Sequence, residues 1–526
     1  MKKQDLFHHA GTTVALMVGA TLVSKVLGML RQMMTASIFA ASMEGIAFSA
    51  ASGIPLAIFD MLFSTAVLGS FLPIYKGHLD SDEKRAESFS SSFLTGIFLI
   101  TALASLLGIV FARPIVRLSA PELDGDTFAL AVLLLRIMFP SMIFAGAAYT
   151  LVGILQSRES FLLPALVSCV SNLILICYLA FCKQPIQTAS AVGLAVAYLI
   201  SWMAQFLTLA VPLWRKRSFP HLTADLKTDD TVLAVKRALP VMCGSWLIPM
   251  TNLIAKAFSS FIDAESIEQG AQAGAAIVVY ENAFSVFSIA AGLLTYGVCN
   301  YMFPKLSARY AAGDTEGFFR LLQQGLFSLL ATALPVSVAL VLLADEVIAL
   351  LYLRGNFTPG LAASTGESLG ILALAVFGYG MTEFFSRAFY ACGKVRYPMR
   401  AALLGLTVSL ASFGFCFAVG MISVVSIAWS VVCGQTAAGA FLLLCSRSSF
   451  GRRRMPEMGK FGSLAVGGAL SFVSMRICKR ILKNFLNFSG AFQNFLLIAI
   501  VFAVGFVVYS IWLILTKAIR ISDFRG

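Results

Sequence analysis

Residues 12–40 read TTVALMVGATLVSKVLGMLRQMMTASIFA, an apolar run that is interrupted by two cations, Lys25 and Arg31. A cation in the middle of a bilayer costs about 2.5–3.5 kcal/mol on insertion scales, so both side chains are expected to face protein or a water-filled cavity. On a helix they are separated by about 9 Å of rise and about 120° of rotation, with Gly28 midway between them. Gly28 leaves room for another backbone or for a bulky anion. The stretch therefore predicts one wall of a cationic cavity inside a transporter.

The composition is that of a polytopic helical membrane protein. Of the 526 residues, 59% are hydrophobic and only 12% are charged, whereas about 25% of the residues in soluble domains are charged. The net charge of +13 does not predict nucleic-acid binding, because Lys and Arg accumulate in the cytoplasmic loops of membrane proteins. Acidic loop residues such as Asp230 are interpreted as solvated charges, and no P-loop or nucleophile motif is present. We therefore expect no enzyme, no catalytic residues and no metal site.

Apolar runs long enough to cross a bilayer recur along the whole chain. We predict about fourteen transmembrane helices of roughly 20 residues each, separated by short polar segments. The predicted spans are 11–36, 45–75, 89–112, 128–155, 161–181, 189–213, 239–261, 273–303, 318–343, 361–390, 398–419, 422–445, 461–477 and 491–515.

The distribution of basic residues predicts the orientation in the membrane. If both termini are cytoplasmic, most Lys and Arg residues lie on the cytoplasmic side, including the basic triplets at 215–217 and 452–454. The first apolar run continues into further spans, so it is expected to be an uncleaved helix and not a signal peptide. One connection does not fit, because the basic residues within 476–483 fall on the outer side. Snorkelling or contact with lipid headgroups would accommodate them.

Similar motifs recur in the two halves of the chain. FLPIYK at 71–76 has a counterpart in MFPKL at 302–306, and GILQSR at 153–158 has one in AFYACGK at 388–394. Equivalent points are separated by an even number of spans, so the halves are expected to share one orientation about an axis along the membrane normal. The predicted domains are an N-terminal lobe of six helices (1–213), a basic cytoplasmic linker (214–237), a C-terminal lobe of six helices (238–446) and two further helices with a cytoplasmic tail (447–526).

Ionisable side chains inside the predicted spans mark the expected binding site, because such residues are rare in membranes and commonly functional. They are Lys25, Arg31, Asp60, Arg136, Lys256, Glu281, Glu383 and Arg387. Fixed cations in a wet cavity would hold a diphosphate headgroup, and Arg binds phosphate oxygens in a bidentate manner. We predict that Lys25 and Arg31 of the first helix and Lys256 of the seventh present cations from both lobes to one central anion. Snorkelling of these cations to an interface is the alternative.

For the five other ionisable residues, structural roles compete with binding roles. Arg136 lies next to Pro140, where the helix is predicted to break, so it either contacts substrate or donates to freed backbone carbonyls. Glu383 and Arg387, one helical turn apart, are predicted to form a structural ion pair. Asp60 and Glu281 are each expected to pair with a cavity cation.

The motifs resemble those of the MurJ/MviN lipid II flippases. The segments that carry the resemblance are SKVLGMLR at 24–31, LRIMFP at 135–140, GILQ at 153–156 with Pro164, Ala165 and Asn172, FPKLS at 303–307 and AFYACGK at 388–394. The resemblance covers essentially the whole chain. It implies the fold of the MOP exporters, in which two six-helix lobes surround a central cavity and two additional helices form a groove for a polyprenyl tail.

The resemblance also implies a function in peptidoglycan synthesis, and hence in cell-wall biogenesis and cell shape. Lipid II, a polyprenyl-diphosphate-linked sugar-peptide, would move from the inner to the outer leaflet of the bacterial plasma membrane by alternating access. The implied partners are this lipid-linked substrate, membrane lipids and other cell-wall synthesis proteins. No cofactor is expected; a coupling ion (sodium or proton) or the membrane potential would drive transport.

The sequence departs from the family at several cavity positions. The family signature usually has Arg where Lys25 stands and an acid where Gln32 stands, and the region of Asp60 replaces a cation near the end of the second helix. The arginine of the eighth helix falls at or near Ala283, and Lys256 is predicted to stand in for it. The predicted substrate-binding residues are Lys25, Gly28, Arg31, Asp60, Arg136, Lys256, Glu281 and Asn282.

Other functions would need other side chains. A flippase for another lipid-linked oligosaccharide would use the same cationic cavity, and the missing family cations keep this alternative open. A cation-coupled multidrug exporter of the MATE type would prefer an acidic, aromatic cavity, so the basic set argues against it. An integral-membrane transferase would need paired carboxylates or a metal-binding acidic cluster in an interfacial loop.

Overall fold

The structure is a computed structural model that describes residues 3–61, 71–182, 186–223, 225, 230, 233–234, 246–450, 458–485 and 490–518. Over these residues the chain forms helices and no strands. In chain order the helices are α1 (Lys3–Phe39), α2 (Met43–Phe59), α3 (Leu72–Leu79), α4 (Glu83–Val110), α5 (Ala112–Ser119), α6 (Gly125–Met138), α7 (Ser141–Ser157), α8 (Leu162–Phe181), α9 (Thr188–Arg215), α10 (Leu247–Ser259), α11 (Ala275–Ala311), α12 (Thr315–Tyr352), α13 (Pro359–Leu372), α14 (Ala375–Ala391), α15 (Arg396–Ala418), α16 (Val424–Phe450), α17 (Met458–Phe485) and α18 (Ala491–Leu515).

The predicted class, an all-helical polytopic membrane protein, is confirmed. Among the described residues, ten helices are long and apolar enough to cross a membrane, and α13 with α14 makes an eleventh span if the bent pair is counted as one. The predicted spans 11–36, 45–75 and 239–261 run over residues or side chains that lie outside the described part of the chain. The predicted number of fourteen spans is therefore not confirmed.

The helices form two compact units. The first comprises Met1–Phe261 and Gly270–Val278, and the second comprises Ile262–Gln269 and Val279–Gly526. In the first unit α1 packs on α8, while α2 packs on α6 and α9. In the second unit α14 and α15 pack on α16, while α12 packs on α13, α17 and α18. These units reflect packing and not the repeat, so the predicted lobe boundaries at 213, 238 and 446 stay a prediction.

Two of the spans are broken in the middle. The predicted break beside Pro140 is confirmed, since α6 ends at Met138 and α7 begins at Ser141. The second break, between α13 and α14, bends the chain by 46° within the predicted single span 361–390. No proline marks this break; instead the Ser337 hydroxyl of α12 donates to the carbonyl of Ala373 at 2.8 Å. The same carbonyl accepts a longer bond from Val376 N at 3.4 Å, so a buried side chain from another helix adds a second donor at the break.

The break between α6 and α7 is packed tightly against α4. The Phe139 ring covers Gly108 so closely that a Cβ at this position would overlap it. Gly108→Ala should therefore lower the free energy of unfolding by about 1–3 kcal/mol, the usual cost of overpacking a filled site. The measurement is the thermal unfolding midpoint of the purified protein in detergent micelles.

Gly96 of the same helix provides the matched control for this prediction. No described atom outside the helix's own local backbone lies within 4 Å of the position that a Cβ at Gly96 would take. Gly96→Ala should leave the midpoint unchanged or raise it, because alanine is favoured over glycine in helices by about 1 kcal/mol. Equal midpoints for the two variants would show that the Phe139 ring moves aside at little cost.

The predicted linker 214–237 is attached to the first half of α4 in the part that the structure describes. The contacts are His221 N to Ser91 Oγ (3.1 Å), Thr223 N to Thr95 Oγ1 (3.1 Å), Ser92 Oγ to Asp225 O (2.7 Å) and Arg85 Nη2 to Asp230 Oδ2 (3.0 Å). The interpretation of Asp230 as a solvated charge was wrong, since its side chain is only 18% exposed and also lies 3.1 Å from His78 Nε2. The hydroxyls of Ser91, Ser92 and Thr95 interrupt the apolar pattern of α4, and each forms a hydrogen bond with the backbone of this linker.

Candidate functional site

One stripe of α1 packs on α8. The backbone carbonyl of Ser24 accepts a hydrogen bond from Asn172 Nδ2 (3.3 Å), and the Ser24 hydroxyl contacts the Ala165 carbonyl at 3.3 Å. One turn further along, a Cβ at Gly28 would lie 3.6 Å from Asn172 Nδ2. Of the two uses predicted for Gly28, the structure shows close packing, here against an amide side chain of the neighbouring helix.

Arg31 continues this stripe into a group of polar side chains. Arg31 is half-buried and acts electrostatically on Tyr198 of α9, on which Asp60 at the end of α2 also acts. Asp60 acts in addition on Tyr149 of α7, whose ring lies 5.2 Å from that of Phe59. Four helices thus bring one cation, one carboxylate and two phenols together, and we name Arg31, Asp60, Tyr149 and Tyr198 the Arg31 cluster.

The Arg31 cluster carries the donors that a phosphate group requires. A guanidinium presents N–H groups in a fixed fork that matches phosphate oxygens, and each phenol adds an O–H.

The tyrosines were missed by the sequence reasoning, which considered only residues that are charged at neutral pH. Their signal is weak, because tyrosines are common in the apolar runs of this chain and most of them serve packing. Only the positions of α7 and α9 beside the end of α2 single out Tyr149 and Tyr198.

Lys256 is buried against α2. Only 3% of Lys256 is exposed, and its Nζ donates to the carbonyl of Ser49 at 2.9 Å. At the other end of α10 the indole of Trp246 donates to the carbonyl of Met61 at 2.8 Å, so α10 runs antiparallel to α2. Ser49 and Asp60 are separated by about 16 Å of helical rise. The structure therefore places Lys256 in the same unit as Lys25 and Arg31, and the prediction that the three cations face one anion stays a prediction.

Lys25 has an exposed side chain, unlike Arg31. Its neighbours Leu22 and Val26 are exposed as well, at 40% and 67%. This difference follows from the rotation of about 120° between positions 25 and 31 on one helix, which turns the first away when the second is packed. Lys25 is not part of the Arg31 cluster in this structure.

Arg136 takes the structural role of the two that the sequence left open. Its Nε donates to the carbonyl of Ile109 at 3.3 Å, close to the end of α4, and the side chain is otherwise exposed. The last carbonyls of a helix lack intrahelical donors, so a guanidinium at this place stabilises the helix end.

The remaining predicted residues lie on α11 in the second unit. Asn282 is 3% exposed, and Tyr280 beside it is 1% exposed; the Tyr280 ring stacks on that of Phe284 with centroids 5.7 Å apart. Glu281 is half-buried. The substrate-binding role predicted for Glu281 and Asn282 stays a prediction.

Comparison with known proteins identifies the family. A family model described as "Lipid II flippase MurJ" matches residues 35–479 of the chain. The chain belongs to this family.

Individual MurJ proteins agree with this assignment. The probable lipid II flippase MurJ of Bdellovibrio bacteriovorus is 30% identical over 401 residues, which cover 75% of this chain and 74% of that protein. The lipid II flippase MurJ of Burkholderia cenocepacia is 26% identical over 391 residues, covering 73% and 74%. A solved structure of a lipid II flippase MurJ in an inward closed conformation matches 95% of this chain and 98% of that one, with a TM-score of 0.76 and 20% identity.

A likeness to MATE transporters concerns the fold alone. An inward-facing MATE family transporter of the MOP superfamily matches 81% of this chain and 94% of that one with a TM-score of 0.65, at 13% identity. The predicted MOP-type fold is thereby confirmed, together with the predicted MurJ family.

The sequence reasoning also missed a buried carboxylate in this MurJ family member. It ended the ninth span at 343, but α12 continues to Tyr352 through a kink at Leu343 (φ −113°, ψ 15°). Glu346 lies beyond the kink with its side chain 6% exposed, and it pairs with Lys479 Nζ at 2.8 Å and Lys483 Nζ at 2.5 Å. Two of the basic residues within 476–483 therefore bind a protein carboxylate. The signal was an acid followed by a further apolar run, VIALLY at 347–352.

Proposed function

We propose that the chain is a flippase that moves lipid II, a polyprenyl-diphosphate-linked peptidoglycan precursor, from the inner to the outer leaflet of the bacterial plasma membrane by alternating access. The observation that carries this proposal is the match of the family model to residues 35–479. A flippase performs transport and not catalysis, which agrees with the expectation of no catalytic residues.

The Arg31 cluster provides a physical basis for recognition of the diphosphate. A diphosphate loses hydration when it enters a low-dielectric slab, and charge-assisted hydrogen bonds from Arg31 replace part of that hydration. In the empty state Asp60 is the anion near the guanidinium of Arg31, and the phosphate oxygens of the substrate take its place when they approach. The phenols of Tyr149 and Tyr198 add donors that can bind an anion, and the positive charge of Arg31 disfavours a cationic drug. The MATE-like function is therefore less well supported.

Several finer features belong to the same proposal. Both termini would be cytoplasmic, and α17 and α18 would form the groove for the polyprenyl tail, with membrane lipids and other cell-wall synthesis proteins as neighbours. A coupling ion, sodium or proton, or the membrane potential would supply energy. The potential alone provides about 2.3 kcal/mol per charge per 100 mV.

The decisive experiment replaces the resident flippase of a bacterial cell with this chain. Depletion of the resident protein stops export of the precursor, and expression of this chain is expected to restore lipid II in the outer leaflet. A series of polyprenyl diphosphates with defined headgroups in proteoliposomes then identifies the cargo. Transport of a different lipid-linked oligosaccharide, with none of lipid II, would overturn the proposed substrate in favour of the alternative flippase.

A further inference from the structure

The second unit contains an ion pair that is in contact but not hydrogen-bonded. Arg387 Nη2 and Glu383 Oε2 of α14 lie 3.8 Å apart, which confirms the predicted ion pair. Charge-assisted hydrogen bonds between nitrogen and oxygen measure about 2.7–2.9 Å. The side chains are 32% and 35% exposed, whereas Phe384 and Phe385 between them are 1% exposed. Because charges are costly in lipid, the open face of α14 that carries this pair is expected to face water.

Other ionisable groups surround the pair. Glu383 interacts electrostatically with Tyr379 and Tyr390 of the same helix and with Cys299 of α11. Thr295 of α11 is buried, and its hydroxyl donates to the Ala291 carbonyl of its own helix at 2.8 Å. From α16 the contact is made by the uncharged backbone of Gln435 and Thr436 against Gly378. Arg387 is the cation that acts on Glu383 among these groups.

Comparison with Glu346 of the same unit shows what distinguishes Glu383. Glu346 is 6% exposed and is held by two lysines at 2.8 Å and 2.5 Å. Protonation of a carboxylate that is bonded in this way is disfavoured, because its negative charge is already compensated by the two lysines. Glu383 is more open, and the guanidinium of Arg387 lies 3.8 Å from its carboxylate. A proton therefore competes with Arg387 for Glu383 far better than it competes with two lysines for Glu346.

We infer that Glu383 is a proton-binding site of the second unit, and that its protonation state biases the position of Arg387. This inference rests on the proposed flippase function for its role in transport. A proton from water adds to a carboxylate oxygen of Glu383 and makes the side chain neutral. Arg387 then loses the negative charge that faces it and moves toward other acceptors or toward water. The two protonation states thus favour two arrangements of α14, the element that follows the 46° bend.

The proton itself is measured first, without transport. The purified full chain is titrated from mildly acidic to mildly alkaline pH while infrared difference spectra record the C=O stretch of protonated carboxylic acids. Wild type is expected to lose one such band as the pH rises, and Glu383→Gln is expected to lack that band altogether. Glu316→Gln is the matched control, because Glu316 and Arg320 form a pair with the same i,i+4 spacing and the same 3.8 Å distance, but with both side chains more than 70% exposed.

Lipid flipping is measured second, in proteoliposomes with equal protein content. Wild type and Glu316→Gln are expected to show a pH-dependent flipping rate, and Glu383→Gln a rate that no longer depends on pH. Glu383→Gln with Arg387→Gln removes both charges and tests whether any loss comes merely from an uncompensated Arg387. Thermal unfolding midpoints establish that each variant is folded.

The outcomes separate this inference from the proposed function. An infrared band that persists in Glu383→Gln, or a flipping rate of that variant that follows pH as in wild type, would overturn the proton site. A wild-type protein that shows the band and does not flip any lipid would overturn the proposed function and leave the proton site standing.

Discussion

Arg31→Ala is expected to reduce lipid II translocation about 10- to 100-fold, because hydrogen bonds to charged groups contribute about 1.5–3 kcal/mol and each 1.4 kcal/mol is about a factor of ten. The half-buried Arg31 acts electrostatically on Tyr198, on which Asp60 acts as well. Removal of its guanidinium takes away a positive charge near Tyr198 and leaves the negative charge of Asp60 there, which repels a diphosphate. The measurement is the initial rate of translocation in proteoliposomes.

Two further arginine variants make this prediction specific. Arg31→Lys keeps the charge but loses the bidentate fork, so it should give an intermediate rate. Arg136→Ala removes a guanidinium that donates to the Ile109 carbonyl, so it should lower the unfolding midpoint slightly and leave the rate within a factor of about two of wild type. A normal rate for Arg31→Ala together with a large loss for Arg136→Ala would mean that the substrate binds elsewhere.

The second large effect concerns stability. Lys479→Met with Lys483→Met leaves Glu346 as an unpaired carboxylate in a site that is 6% exposed. Breaking a buried ion pair from one side usually costs about 3–5 kcal/mol. We expect the double variant to lose stability by this amount and α17 to detach from α12, since Lys479 also donates to the Leu342 carbonyl at 2.6 Å. Thermal unfolding in detergent micelles gives the size of the effect.

Adding Glu346→Gln to the double variant should restore most of the lost stability. The triple variant has no charge left to compensate, and a neutral amide is far less costly to bury than an unpaired carboxylate. Glu316→Gln on the same helix should change little, because exposed ion pairs contribute about 0–1 kcal/mol. A triple variant as unstable as the double would show that the lysines stabilise α17 by some means other than the charge of Glu346.

Predictions from sequence succeeded where the signal is local. Apolar runs of bilayer length establish the all-helical membrane class, since backbone groups in lipid must be satisfied within a helix. Pro140 located the first break, because proline lacks the N–H of a continuous helix. Glu383 and Arg387 are one turn apart, so their pairing followed from helical geometry alone. The order of motifs identified the family.

Predictions failed where distant segments decide the contact. The sequence could not show that Ser337 serves the Ala373 carbonyl, that Lys479 and Lys483 meet Glu346, or that Lys256 lies against Ser49. Each of these pairs is far apart along the chain. Which residues meet depends on how each helix is rotated and where it is kinked, and the pattern of apolar side chains in the sequence does not specify either.

The sequence by itself determined that this chain crosses the membrane many times, carries cations within its spans and belongs with the MurJ flippases. Only the tertiary structure decided which cation is half-buried and which are exposed, because Lys25, Arg31 and Arg136 look alike in an apolar run. Packing of α1 on α8 turns Arg31 toward Asp60 and Tyr198 and leaves Lys25 on the open face. The physical reason is that one helix can present only one stripe to a neighbour, and the match of Ser24 and Gly28 to Asn172 selects that stripe.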